Sequence, residues 1–435
     1  MRFIFKVIIV FFIVFNFRVP VLYNSAFVSI LLSAIYYIYR RGSIPFTRFF
    51  QRYNAVILIG NILIAFVAIL IPFLHHTEII STPEKRLWVQ FMMLWAMIFA
   101  LPLLVDGKES KALEELSVIF CYAFAIQGLI CLVAYLYPPL GDFLFNMKPD
   151  NIKESVLNAS GIVYKFRLYN LSGILFVELT AAFGVAFIVF FWFQLRFNNL
   201  YMKGWKKYII FFFIFLGTVF TGRTGFFGLL FGLGGWLMFS FDRIFTFLRR
   251  NILYLIGAFS IILFIYYFVF TGNQRKSFDD EVFPFAFEWY YNYRDYGKFE
   301  VNSMEATPYH YYYLNDETLL KGDGVIAFGG GSQYPHSDAG YTNTLVFGGI
   351  PFLICLIIYQ CLYFARPIAI TLKNNSRNNK IDCVFFFILF IYIFVVDIKT
   401  PAIGYMHLVE AMYLALGSGY ISQYYLQKEQ REVTG

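Results

Sequence analysis

The stretch YIIFFFIFLGTVFTGRTGFFGLLFGLGGWLMFS, residues 208–240, carries a single charged side chain, Arg223, between two apolar runs. Continuously apolar sequence suits helices that cross a hydrocarbon core of about 30 Å, whereas a membrane strand alternates over about 10 residues. The stretch therefore reads as two short membrane helices, 208–222 and 225–240, joined by the tight TGRTG turn. An arginine facing lipid is costly, so Arg223 must turn outward, pair with an acid or meet an anion.

The same apolar texture recurs along the whole chain. Of its 435 residues 59% are hydrophobic and 14% charged, well below the roughly 25% charged residues of soluble domains. The remaining spans are expected at 3–17, 21–39, 54–74, 87–105, 116–137, 171–195, 251–270, 345–364, 382–398 and 402–425. The expected fold is thus all-α, a polytopic transmembrane helical bundle of about twelve spans. Arg2 and Lys6 before the first apolar run resemble the start of a signal peptide. No small-residue cleavage site follows and further spans do, so the run is read as a retained helix.

The formal net charge is +8, but the basic residues sit in short clusters between spans. Arg40, Arg41, Arg48 and Arg52, then Lys108 and Lys111, then Arg196, Lys203, Lys206 and Lys207 lie in alternate linkers. Arg243, Arg249 and Arg250, and later Arg366, Lys373, Arg377 and Lys380, continue the series. The positive-inside rule accounts for this pattern with both termini cytoplasmic, and without invoking nucleic acid. Cys121, Cys131, Cys355, Cys361 and Cys383 form no CxxC pair, which gives a disulfide scaffold or thiolate metal site little support.

One long polar interruption remains, which divides the chain into an N-terminal membrane bundle at 1–270, an outward-facing loop at 271–344 and C-terminal membrane helices at 345–435. The loop holds eleven acidic residues against Arg275, Arg294, Lys276, Lys298 and Lys321. Its net negative charge argues against a broad basic patch for anionic polymers. Its aromatic run from Phe283 to Tyr313 suits either an interfacial anchor or a face that packs against sugar rings. Short or interfacial helices are expected there.

The candidate chemistry follows from residue type and position. His336 and Asp338 precede the apolar run that re-enters the membrane, and either could accept a proton from an attacking hydroxyl. A structural role at that helix start is the competing reading. Arg167 and Arg223 stand at outer ends of spans, where a guanidinium fork matches phosphate oxygens. The alternative for Arg223 is to end and orient a hairpin. Glu178, inside a span, is a candidate partner of Arg167, and pairing suits it better than catalysis. His407 and Glu410, three residues apart, read as a structural pair near Asp397 and Lys399, with lining a cavity or relaying protons as the alternative. The glycine-dense segments KGDG at 321–324 and FGGGSQYP at 328–335 allow tight turns and close backbone approach. No GKS or GKT follows, so no Walker loop is present.

The stretch from Arg167 to Gly173, TGRTG at 221–225, KGDG at 321–324 and HSDAGYTNTLVFGGIPF at 336–352, taken in this order, resemble the bacterial O-antigen polymerase and ligase superfamily, in particular its polymerase branch. The resemblance implies a glycosyltransferase-C-like membrane enzyme, metal-independent and without a cofactor, whose long loop is periplasmic. It further implies inverting transfer of a glycan from undecaprenyl diphosphate to a sugar hydroxyl on another lipid-linked repeat unit, at the periplasmic face of the inner membrane. Arg167 and Arg223 match the family's diphosphate-holding arginines, and His336 its loop histidine. Asp338, Gly340 and Tyr341 match the polymerase form, with Tyr341 on the substrate side. Ser337 stands where ligases typically carry Asn, which counts against transfer to lipid A core. A flippase and a chain-length regulator are the implied partners. A ligase, or a transporter without bond-making activity, are the alternatives, although the transporter reading lacks clear inverted repeats.

Overall fold

The computed structural model describes residues 2–19, 24–42, 51–77, 83–148, 161–173, 176–197, 202–241, 263–298, 307–326, 334–335, 337–373 and 375–434, with the single positions 153, 256 and 260. No strand occurs among them. The helices are α1 (Arg2–Phe15), α2 (Ser25–Arg41), α3 (Arg52–Leu74), α4 (Pro83–Leu104), α5 (Ala112–Leu136), α6 (Pro138–Asn146), α7 (Phe176–Arg196), α8 (Lys206–Thr221) and α9 (Gly225–Ser240). The long segment contributes the short helices α10 (Gly272–Ser277), α11 (Phe283–Ala286), α12 (Glu288–Tyr296), α13 (Thr307–His310) and α14 (Asp316–Lys321), as expected for it. The chain then returns to long helices: α15 (Gly340–Leu372), α16 (Arg377–Asp397) and α17 (His407–Thr434).

Six helices among the described residues are long and apolar enough to cross a membrane: Arg52–Leu74, Arg86–Leu104, Glu109–Leu136, Val177–Arg196, Gly340–Leu372 and Arg377–Asp397. Phe3–Phe15, Ser25–Arg40 and Gly225–Ser240 are shorter apolar helices. Most of the span expected at 251–270 lies outside the described residues. Two expected starts move inward. Residues 171–173 belong to the loop ahead of α7, and 402–406 form a turn ahead of α17 whose Ala402 and Ile403 amides donate to Asp397 Oδ1 at 2.6 and 3.0 Å.

The chain divides into two compact units, Met1–Val28 with Glu114–Phe299, and Ser29–Leu113 with Glu300–Gly435. In the first, Lys6 of α1 is buried and ion-paired at 3.3 Å with buried Glu115 in the first turn of α5. Close packing of α7 with α9 rests on small residues. Gly225, Gly228 and Gly232 share one face of α9, and a Cβ on Gly228 would overlap the backbone of Gly184. Without a hydrophobic force between helices in lipid, such backbone contact is what holds them together. Aromatics from the long segment complete a core: Phe285 and Phe287 pack against a buried cluster containing Phe166, Phe220, Phe270 and Val282. Trp289, Tyr290, Tyr293 and Tyr296 stay exposed. Phe285 and Phe287 thus go inward and these four side chains with polar tips outward.

In the second unit α15 is broken at Gly349, where φ is +67°, two residues before Pro351. Proline has no N–H and clashes with the carbonyl four residues back, so the carbonyls of Val346 and Phe347 lose their helical donors. The KGDG segment supplies replacements: Asp323 N donates to Val346 O at 2.8 Å and Gly324 N to Phe347 O at 3.0 Å. Thr77 Oγ1 donates to Gly324 O at 3.1 Å and fixes the segment from its other side. Gly322, at φ +71°, has no room for a Cβ against Phe347 and Gly348.

Gly228→Leu should lower stability by about 3 kcal/mol through forced separation of α7 and α9. Gly234→Leu, on the same helix with nothing within 4 Å of its Cβ position, should be close to neutral. Thermal unfolding of the two variants in detergent checks this, and equal midpoints would refute the packing account.

Candidate functional site

In the first unit a 3₁₀-helical segment, Gly161–Leu168, the turn between α8 and α9, and α11–α12 meet around one ring. The guanidinium carbon of Arg167 lies 4.7 Å from the Phe285 ring centroid, and that of Arg223 lies 4.9 Å from it. Two residues separated by 56 positions therefore share one aromatic ring, a contact worth about 0.5–2 kcal/mol per cation. Arg223 is ion-paired with Glu288 in the first turn of α12. Both partners are largely buried, with side-chain exposures of 20% and 14%.

Each arginine is placed by its backbone surroundings. Arg167 Nε donates to Thr221 O at 3.2 Å, and the Arg167 carbonyl accepts from Asn170 Nδ2 at 2.8 Å. Buried Lys148 in turn donates to Asn170 Oδ1 at 2.7 Å and to the Ser172 carbonyl. Gly222 ends α8 at φ +153°, and a Cβ there would sit 3.0 Å from Thr180 Oγ1 and 3.4 Å from Arg167 Nη2. The positive φ of Gly222 is what calls for glycine before Arg223. Glu178 is buried in the first turn of α7.

The second unit holds the other candidates. Asp338, half-exposed, places its carboxylate Oδ2 4.0 Å from His310 Nε2. Its backbone N–H donates to His310 Nδ1 at 3.2 Å. Ser337 Oγ and Thr342 Oγ1 both donate to the His310 carbonyl at 2.9 Å. The imidazole is thereby held with Nδ1 as an acceptor. Ala339 N donates to Ser337 Oγ at 3.2 Å just before α15, and no side chain caps the helix itself. Tyr341 Oη donates to Phe394 O at 3.2 Å. Gly340 lies against Asp397, where any Cβ would overlap the carboxylate. His336 lies outside the described residues.

No protein-family model, curated protein or solved structure matches this chain. Among the described residues no group of three or more His, Cys, Asp or Glu is arranged to hold a metal ion. The Arg167–Arg223 cluster is suited to an anion with several oxygens: two fixed cations face one aromatic surface, and one neighbouring carboxylate offsets part of their charge. The Asp338–His310 pair can accept and stabilise a proton.

Both arginines stand out in the sequence, but three other groups of these clusters do not. Phe285 and Glu288 sit in a run where aromatics and acids are too frequent for any one to be singled out. His310 is less conspicuous than His336 because it is embedded in tyrosines and lies 28 positions from Asp338, with no periodicity linking them.

Burial pushes the Lys148 ammonium from its ordinary 10.5 down to about 7. The unfolded chain then holds this proton more tightly than the folded one, so stability should rise as pH rises from about 7 to 10.5. Thermal midpoints measured across that window should climb in the native protein and climb less in Lys148→Met. Identical slopes would overturn the buried-amine account.

Proposed function

We propose that this chain is a multi-pass glycosyltransferase of the bacterial inner membrane that polymerises surface polysaccharide. It would move a glycan from undecaprenyl diphosphate to a sugar hydroxyl of another lipid-linked repeat unit. The observation that carries this reading is the pairing of Arg167 and Arg223 over Phe285. Six membrane-length helices and the alternation of basic linkers support a bundle with cytoplasmic termini and the long segment on the periplasmic side.

Each group has a task in this reading. The acceptor oxygen attacks the anomeric carbon and loses its proton to a base, while the bond to the diphosphate breaks. Negative charge then grows on the departing diphosphate, and fixed guanidinium groups stabilise that charge more than the ground state. Asp338 or His336 takes the acceptor's proton, and His310 holds Asp338 in place. Tyr341 belongs to the substrate side, and Glu178 supports the arginine-bearing helices. A flippase and a chain-length regulator would be its working partners. The same chemistry serves a ligase, so the acceptor decides between the two.

The test is reconstitution with lipid-linked repeat units as both donor and acceptor. Longer lipid-linked chains are expected; elongation seen only when lipid A core is supplied would turn the assignment to a ligase. Arg223→Ala should lower turnover by about 10²-fold. Glu288→Gln should lower the donor concentration needed for half-maximal rate, because a competing anion is removed. Asp338→Asn should slow turnover by about 10²-fold or more. Undiminished elongation by a well-folded Arg223→Ala protein would sink the diphosphate role.

A further inference from the structure

In the second unit a cavity of about 670 Å³ opens where the start of α3, the end of α4, the last turns of α15 and the C-terminal half of α17 come together. The basic linkers of the sequence adjoin it. Arg40, Arg41 and Arg48 precede α3 in the chain, Lys108 and Lys111 follow α4, and Lys373, Arg377 and Lys380 follow α15. The cavity is thus at the opposite end of α15 from Asp338, the end at which basic linkers meet headgroups under the positive-inside rule.

Hydrogen bonds between separate helices tie its walls. Gln51 Nε2 donates to Ser422 Oγ at 3.1 Å, Gln427 Nε2 to the Ser110 carbonyl at 3.3 Å, and Arg366 Nη2 to Tyr425 Oη at 3.2 Å. Asn54 and Ser418 line the cavity and are themselves buried, so polar groups reach its inner part. Leu101, Pro102, Val105 and Ile421 give it an apolar flank. Polar and apolar walls in one space between membrane helices suit an amphiphile, and the volume falls in the range of ligand sites.

The charges narrow the choice of headgroup. Arg52 and Arg366 line the cavity together with Glu109 and Glu429. Arg52, Arg366 and Glu429 take part in no ion pair among the described residues, so opposite charges face one space without neutralising each other directly. Arginines alone at this level would suit an anionic headgroup. With carboxylates beside them, a monoanion meets attraction and repulsion together, whereas a headgroup carrying both signs meets attraction at each end.

We propose that this cavity binds one zwitterionic phospholipid with an aminoethyl phosphodiester headgroup. The phosphate oxygens lie at Arg366 and Arg52, whose guanidinium forks match them. The ammonium lies at Glu429, and the acyl chains run along the apolar flank. A lipid held this way bridges α3, α15 and α17, and it stabilises the fold because the unfolded chain has no such site. The site involves no bond-making step and stands independently of the glycosyltransferase reading.

The experiment uses full-length protein purified in detergent and stripped of lipid. It is titrated with phosphatidylethanolamine, phosphatidylglycerol, glycerophosphoethanolamine or inorganic phosphate, and read by native mass spectrometry and by the thermal midpoint. The native protein should retain one phosphatidylethanolamine per chain, about tenfold more tightly than phosphatidylglycerol, with a midpoint that rises and saturates. Arg366→Gln should weaken retention about tenfold. Glu429→Gln, which removes the carboxylate and leaves the arginines, should abolish the preference for phosphatidylethanolamine. Equal retention of the two lipids by the native protein would mark annular lipid only and overturn the proposal. Binding of glycerophosphoethanolamine or phosphate as tight as that of the lipid would also overturn it, by marking a soluble ligand. Should Arg366→Gln fail to fold, the exposed Glu429 decides alone, since an unchanged preference in Glu429→Gln would remove the zwitterion site.

Discussion

A backbone carbonyl inside an apolar helical bundle must find a donor, and the second unit is organised around two that lose theirs. Pro351 and Gly349 break α15, and the freed carbonyls of Val346 and Phe347 are met by Asp323 and Gly324. An unmet carbonyl in such surroundings costs several kcal/mol, so the seating of KGDG is obligatory once the proline is there. A chain of further contacts is built on that seat. The Asp323 carboxylate accepts from Thr318 at 2.8 Å and from Tyr334, Tyr334 stacks on Tyr312 at 6.1 Å, and Tyr312 donates to Pro335 O. These contacts bring the later part of the long segment to the start of α15, where His310 meets Asp338.

Much of this is legible in the sequence, for reasons that differ between elements. Continuous apolar runs announce membrane helices because a spanning helix has no polar face to show, and α3, α4 and α5 follow their expected spans within a few residues. Span starts are misread where a polar loop borrows apolar residues, as at 171–173 and 402–406. The glycines of KGDG and FGGIP mark close approach, as their density suggests. Their target is another backbone stretch of the same chain, which no local pattern encodes. Arg167 and Arg223 stand out because charge is rare at span ends, whereas Phe285 and Glu288 are lost among similar neighbours. His407 and Glu410 read as a structural pair, and both are buried in α17. Tyrosines in apolar runs carry no mark that distinguishes a lipid-facing phenol from a buried one.

The first unit shows how one residue type can be divided between two tasks. Phe285 and Phe287 of the long segment pack against the core and Phe285 carries both arginines on its ring, and Trp289, Tyr290, Tyr293 and Tyr296 remain at the surface. A single amphipathic run thus packs on the core and forms a wall of the arginine cluster. Lys148 and Asn170 brace that wall from behind at the cost of a buried amine.

The Arg223–Glu288 pair gives the cluster a resting occupant of its own. Any incoming anion exchanges with a carboxylate already in place, so its gain is the difference between two anions, not the full attraction of the guanidinium. A monoanion replaces Glu288 nearly like for like and gains little, whereas a group with several charges brings a surplus that Arg167 can also receive. Under the proposed function, the carboxylate would act as a charge threshold that favours an anion with several charges over a monovalent one.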